Sequence, residues 1–270
     1  MVEVVIFVVA LAVGVLGSML GIGGGVLLIP LLTGLFGIPI KTAIGASIVS
    51  VIATSSAAGA VYVGRGLSHT RLAMVLEIAT TLGALAGGIT AVLLSPNILE
   101  GLFALVLIYV VYSMRRLPKE EPVTAPTGIL DTSYIDSASG ATVTYGVRNL
   151  PLGMGASFLA GNVSGLLGIG GGILMVPAFS TLVGLPLKDT IATSLACVGV
   201  FAIPGTITHA IQGDINWTFA LALAAGVIPG ARIGARFTIA STDRTLRYTV
   251  GTALGVIALI YGIGELFALR

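Results

Sequence analysis

Charge is scarce in this sequence. Only 9% of its 270 residues are charged, against roughly a quarter in an ordinary soluble domain, and that shortage excludes a solvated globular surface. The net charge of +2 is spread over short loops, which excludes a basic face for nucleic acid. The single cysteine, Cys197, has no disulfide partner, so redox compartment is not legible. Paired carboxylates, a cysteine–histidine couple and a metal-ligand spacing are all missing. The residues therefore offer no catalytic set, no metal site and no cofactor site, and the expectation is not an enzyme. What is present is apolar surface: 56% of the residues are hydrophobic, the composition of a polytopic protein of the lipid bilayer. The first apolar stretch, Val4–Leu20, has acidic Glu3 and no basic residue before it, and it recurs at Leu152–Leu167. It reads as a retained membrane segment and not as a secretory signal.

Self-similarity organises the chain. "LGIGGG" occurs at Leu20–Gly25 and again at Leu167–Gly172, an offset of 147. Without a gap, the same offset pairs Pro30 with Pro177, Pro39 with Pro186, Lys41 with Lys188, Ser47 with Ser194 and Gly66 with Gly213. Across Gly14–Gly66 against Gly161–Gly213, 17 of 53 positions are identical. Composition bias would supply glycine and leucine matches, but not ungapped proline and lysine matches. The expected organisation is a first membrane repeat over 1–116, a cytoplasmic linker over 117–148 and a second membrane repeat over 149–270.

Each half carries five apolar segments: Val4–Leu20, Val26–Ile38, Thr42–Val63, Leu72–Leu94 and Ile98–Met114, with counterparts beginning near Leu152, Ile173, Thr190, Trp217 and Leu246. The second of each five is too short. About 13 residues of helix reach about 20 Å, less than the roughly 30 Å hydrocarbon core. Either the first two segments form a re-entrant hairpin with the glycines at its tip, or the short segment crosses as a broken helix shielded by protein or water. Both models place Arg65, Arg71, Arg115, Arg116, Lys119, Arg148, Lys188, Arg244 and Arg247 on one side of the membrane, and Lys41 and Arg270 on the other. The basic-rich side is cytoplasmic, so the expectation is a multi-pass protein of the cell membrane with its N-terminus outside. An odd number of crossings per half makes the two repeats inverted, and inverted repeats with short glycine-interrupted segments at matching positions mark secondary transporters. Within the linker, Thr132–Ile135 and Thr142–Val147 alternate around "DSASGA" and predict a small β-hairpin, whose simplest role is to reverse the topology between halves. The expected fold class is thus an all-α polytopic membrane protein of two inverted repeats with short helices after glycine-rich loops and a cytoplasmic β-hairpin linker. Nothing excludes a homo-oligomer.

The glycine loops end where the short helices begin, at Val26 and Ile173. A helix N-terminus offers free amides and a partial positive charge, and glycines let a ligand approach that backbone closely. The predicted substrate-binding backbone is Gly23, Gly24, Gly25 and Val26, with Gly170, Gly171, Gly172 and Ile173, and the ligand it favours is a small anion. The competing reading is tight helix packing by small residues. The spacing is not a dinucleotide fingerprint, since the later glycine and a βαβ unit are missing.

At these residues the chain resembles a family. "LAGNVSGLLGIGGGILMVPAF", followed by "TIATSLACVGVFAIPGTITHAIQG", is similar to the TauE/SafE family of sulfite and organosulfonate exporters and related anion permeases. The resemblance implies export of sulfite or an organosulfonate such as sulfoacetate or taurine. The residues alone imply an anion-favouring secondary transporter working by alternating access, with an anion channel, or a permease for a different small anion, as the alternative.

Polar residues at membrane depth complete the candidates. Arg232 stands where the first half has Leu85 and is expected to attract the anion, or else to pair with Glu77. Ser47, Ser194, Asn162 and Ser164 lie near the loops as hydrogen-bond donors. Glu77 is a candidate for coupling, and His209, opposite Tyr62 in the repeat, for gating.

Overall fold

In the computed structural model, residues 2–34, 36–115 and 130–242 are described, with 245, 246, 248, 249 and 252 beyond them. The fifth apolar segment of the second half, beginning near Leu246, and the proline-rich start of the linker lie almost wholly outside the described residues. The first half forms α1 (Val2–Leu20), α2 (Gly25–Gly34), α3 (Ile40–Gly64), α4 (Thr70–Leu93) and α5 (Pro96–Arg115). The linker contributes β1 (Thr132–Ile135) and β2 (Thr142–Tyr145). The second half forms α6 (Leu150–Leu167), α7 (Gly172–Ala178), α8 (Leu187–Gln212) and α9 (Trp217–Ala240).

Five of these helices, α3, α4, α6, α8 and α9, are long and apolar enough to cross a membrane. Their surface is that of a protein in lipid. Met74, Ile78, Leu82, Ile89 and Leu93 stand exposed along α4, and Ile203, Ile207 and Ile211 along α8, while the buried side holds small residues and hydroxyls. Water would make such a face costly, and acyl chains make it neutral.

Local sequence sets the boundaries. Pro39 and Pro186 each adopt extended backbone and directly precede α3 and α8. At the start of α4 the His69 ring accepts from the Leu72 amide at 3.2 Å, and at the start of α9 the Asn216 side chain accepts from the Phe219 amide at 3.2 Å, each satisfying a donor the first turn leaves free. His69 and Asn216 are themselves 147 apart. The short helices start one residue before the expected Val26 and Ile173. In the second half, Pro177 supplies no amide, and the chain continues beyond Ala178 as a π-helical turn, Phe179–Val183.

Of the two models for the short segments, the hairpin is the one seen. The Arg148 amide, just before α6, donates to the Val183 carbonyl at 3.1 Å, so the chain enters the bundle and returns to the same end. In the first half, α1 runs parallel to α9, with Leu11 meeting Gly230 and Val15 meeting Gly234. The start of α9 lies beside Gly45 near the start of α3, so α1 begins at the end where α2 leads out.

Helices pack across the halves: α1 lies on α9 and α6 on α4. Glycines make these crossings. A Cβ at Gly87 would run into the Asn162 carbonyl, and one at Gly234 into the Val15 carbonyl. Backbones touch there because no side chain intervenes. The two contacts are related residue by residue by the 147 offset, as are Gly161 on Thr80 and Gly14 on Val227.

The hairpin forms as expected, with Thr132 opposite Tyr145 and Ile135 opposite Thr142, and it is docked. Tyr134 and Tyr145 are buried, Tyr145 meets the His69 ring edge-on at 6.0 Å, and the His69 Nε2 lies 2.7 Å from the Leu130 carbonyl. Asp136 forms an ion pair with Lys188 at the start of α8. Burial alone would raise the Asp136 carboxyl, but hydrogen bonds from Lys188 and Ser139 and the Lys188 charge hold it below the usual carboxylate range.

Candidate functional site

The two glycine loops meet each other inside the bundle. All of residues 21–25 and 168–172 are buried. A Cβ on Gly25 would fall 2.6 Å from the Gly168 carbonyl, and one on Gly172 would strike the Gly21 carbonyl. Gly21, Gly23, Gly24, Gly168, Gly170 and Gly171 all have positive φ, between 60° and 88°, a region that costs any other L-residue strain. That conformation is why the loops are glycine.

Each loop's carbonyls are held by the opposite half. Ser47 on α3 donates to the Gly168 carbonyl at 2.9 Å, and Ser194 on α8 shares its one proton between the Gly21 carbonyl at 2.8 Å and the Ile191 carbonyl at 2.9 Å. These hydroxyls thus position the loops by spending their protons on them. In this conformation the Ser47 and Ser194 protons go to protein carbonyls.

The loop amides are different. Among the described residues, the amides of Gly24, Gly25 and Val26 donate to no protein acceptor, and neither do those of Gly170, Gly171 and Ile173. Unpaired amides are normal in a first helical turn, where water or a cap serves them. Here they are enclosed, where an unmade hydrogen bond costs about 1–3 kcal/mol. The N-termini of α2 and α7 therefore combine free donors with the positive end of a peptide dipole, which is the chemistry that holds a small anion.

The remaining candidates divide. Ser164 lies on α6 with its carbonyl accepting from the Gly168 amide at 2.7 Å, while its buried hydroxyl has no partner. Asn162 is brought against α4 through its backbone, not against the loops. His209 is buried, with Nε2 3.1 Å from the Gly165 carbonyl and Nδ1 3.2 Å from Asp214. A neutral imidazole has one N–H, so both contacts are hydrogen bonds only when the pair holds one proton beyond a neutral ring and a carboxylate. Tyr62, its counterpart, bonds the Ser18 carbonyl at 3.1 Å, the position equivalent to Gly165. Glu77 accepts from Thr81 at 3.3 Å. Arg232 is not brought to the loops. It is exposed, on the face of α9 opposite Gly230 and Gly234, and among the described residues it makes no ion pair with Glu77. A helix has two faces, and the glycines had already claimed the inner one.

The geometry now has a context among known proteins. The family model described as the sulfite exporter TauE/SafE matches residues 6–261. The chain belongs to the TauE/SafE family. It is 29% identical over 267 residues to the probable membrane transporter protein YunE of Bacillus subtilis, covering 96% of this chain and 95% of that one. It is 29% identical over 252 residues to a probable membrane transporter protein of Xylella fastidiosa strain 9a5c, covering 93% and 90%. With MJ0441 of Methanocaldococcus jannaschii, also a probable membrane transporter protein, it shares 26% over 269 residues, covering 94% and 93%. No solved structure matches the chain. Together with the five apolar helices, these relatives make it a multi-pass membrane transporter protein.

In this TauE/SafE protein the residues around the loops that sequence reasoning passed over are Thr54, Ser55 and Phe201. Ser55 and Thr54 stand against Gly23 and Gly24, and Phe201 against Gly171. The run "ATSSAAG" in α3, three consecutive hydroxyl residues deep in an apolar helix, was the available signal. Asp214 was the other omission, because a carboxylate in a loop reads as solvated until His209 is seen beside it.

Proposed function

We propose that this protein is a secondary transporter that exports a small anion, sulfite or an organosulfonate such as sulfoacetate or taurine, by alternating access. The observation that carries the reading is the set of buried, unpartnered amides at the starts of α2 and α7, in a chain of the sulfite exporter family. Backbone amides in an enclosed site recognise anionic oxygen without placing a full charge in the membrane. The correspondence of contacts at the 147 offset supports reading the halves as inverted repeats, so that each half's hairpin approaches the centre from an opposite end. In this conformation the loops pack on each other, and anion entry requires the hairpins to part. The hairpin linker and the basic loops around it are read as cytoplasmic on the charge bias.

The test is flux in liposomes loaded with sulfite. A carrier gives saturating efflux and counterflow driven by external sulfite. Large unitary currents in a planar bilayer, with efflux that does not saturate, would replace it with an anion channel.

A further inference from the structure

The two loops share a backbone but not a wall. The 147 offset pairs Thr54 with Phe201 and Ser55 with Ala202, so apolar residues stand in the second half where the first has hydroxyls. A Cβ built on Gly23 would lie 3.0 Å from the Ser55 Oγ, and one on Gly24 would lie 3.9 Å from the Thr54 Oγ1. At Gly171 the nearest side-chain atoms belong to the Phe201 ring, 2.8 Å from such a Cβ. The first loop is walled by these hydroxyl groups together with Val51 and Val13 methyls 3.0 Å from such Cβ atoms, and the second by an aromatic ring.

Ser55 itself is unusual within α3. Ser50 and Thr54 donate back to the carbonyls of Ala46 and Ser50, at 3.1 and 2.9 Å, the ordinary arrangement for a hydroxyl in a membrane helix. Ser55 does not. It is 1% exposed and its hydroxyl has no partner, although the Val51 carbonyl one turn back is the usual acceptor for a residue at that position. An orphan hydroxyl in an apolar interior is costly, and this one lies against the loop whose amides at Gly24, Gly25 and Val26 are also unpartnered. Ser164 carries the other orphan hydroxyl near a loop, but it is not among the nearest neighbours of Gly170, Gly171 or Gly172.

Resting on the anion-transporter reading, we propose that the anion is held at the first loop alone, by the Gly24–Val26 amides with the Ser55 hydroxyl donating to one of its oxygens. The second loop, capped by Phe201, is the structural partner that braces the first through Gly168 and Gly172. The ligand class is a compact oxyanion, with one oxygen for the amide nest and one for the hydroxyl.

Titration calorimetry of the full-length protein in detergent with sulfite tests this, using Ser55→Ala and the control Ser157→Ala. Ser157 is another buried, unpartnered hydroxyl, on α6 in the second half, and it is not among the nearest neighbours of Gly23, Gly24 or Gly25. Both variants remove an orphan group and are expected to unfold no earlier than the parent protein. A hydrogen bond to a charged ligand is worth about tenfold to hundredfold in affinity. Ser55→Ala should lose that factor and Ser157→Ala should bind as the parent does. Parent-like binding by a folded Ser55→Ala overturns this assignment while leaving the anion-transporter reading intact. Equal losses in both variants overturn it as well, since the effect then comes from the fold. No sulfite binding by the parent overturns both.

Discussion

Alanine at the two N-cap glycines separates ligand binding from packing. Gly24 has φ 88° and Gly171 φ 60°, so alanine at either position carries about 1–2 kcal/mol of left-handed strain. The surroundings then differ. At Gly24 the new Cβ meets a Val13 methyl at 3.0 Å, a side-chain end that gives by tenths of an ångström. At Gly171 it stands 2.8 Å from both the Ala160 carbonyl oxygen and the Phe201 ring, neither of which yields, and crowding of that kind costs about 1–3 kcal/mol more. Gly24→Ala should therefore cost about 1–2 kcal/mol and Gly171→Ala about 2–5 kcal/mol. The repeat alone predicts damage similar in kind at both loops with comparatively little thermal change; the structure adds a ranking in magnitude between the two. Thermal unfolding in detergent reads the stability order, and calorimetry with sulfite reads the affinity of each folded variant. Gly24→Ala should weaken binding at least about tenfold, since relief of its left-handed strain shifts the Gly24–Val26 amides that form the nest. Equal melting of the two variants would refute the packing analysis, and parent-like affinity in Gly24→Ala would refute the nest.

Three further outcomes follow from named contacts. Ser194→Ala and Ser47→Ala each orphan a buried loop carbonyl and should each lower stability by about 1 kcal/mol or more; an unfolding series in which one is silent would show that the loops are not held reciprocally. The lowered Asp136 carboxyl stabilises hairpin docking fully above the ordinary carboxylate value of about 3.9, and the contribution fades as pH falls through the lower folded value. Asp136→Asn at neutral pH should thus reproduce the protease sensitivity that the parent hairpin gains in acid, and an unchanged cleavage rate would contradict the pair's role. Arg232→Leu, which installs the residue found at the equivalent Leu85, should fold and bind sulfite as the parent does, because Arg232 faces outward; a clear loss of affinity in calorimetry would return it to the site.

The parts of the fold that were legible in the sequence were those written as pattern. The LGIGGG copies, the ungapped prolines and the alternation around DSASGA placed the loops, the starts of α3 and α8 and the hairpin strands within three residues. The docking of the hairpin was not legible, since Tyr145 on His69 and Asp136 on Lys188 join residues far apart in sequence. Side-chain direction was lost as well. Ser47 and Ser194 were correctly brought to the loops, but which partner takes a hydroxyl's proton depends on where a carbonyl lies. The outward face of Arg232 was not legible either, because depth along α9 is readable from sequence, while the face a residue occupies depends on which side the glycines pack.

The central claim is that the enclosed amides hold an oxyanion. Calorimetric titration of the purified parent protein with sulfite, sulfoacetate, taurine and acetate tests it directly. The account predicts saturable, single-site binding that favours the sulfur oxyanions over acetate. Binding that favours acetate would contradict the sulfonate assignment, and the absence of binding by every anion would contradict the site itself.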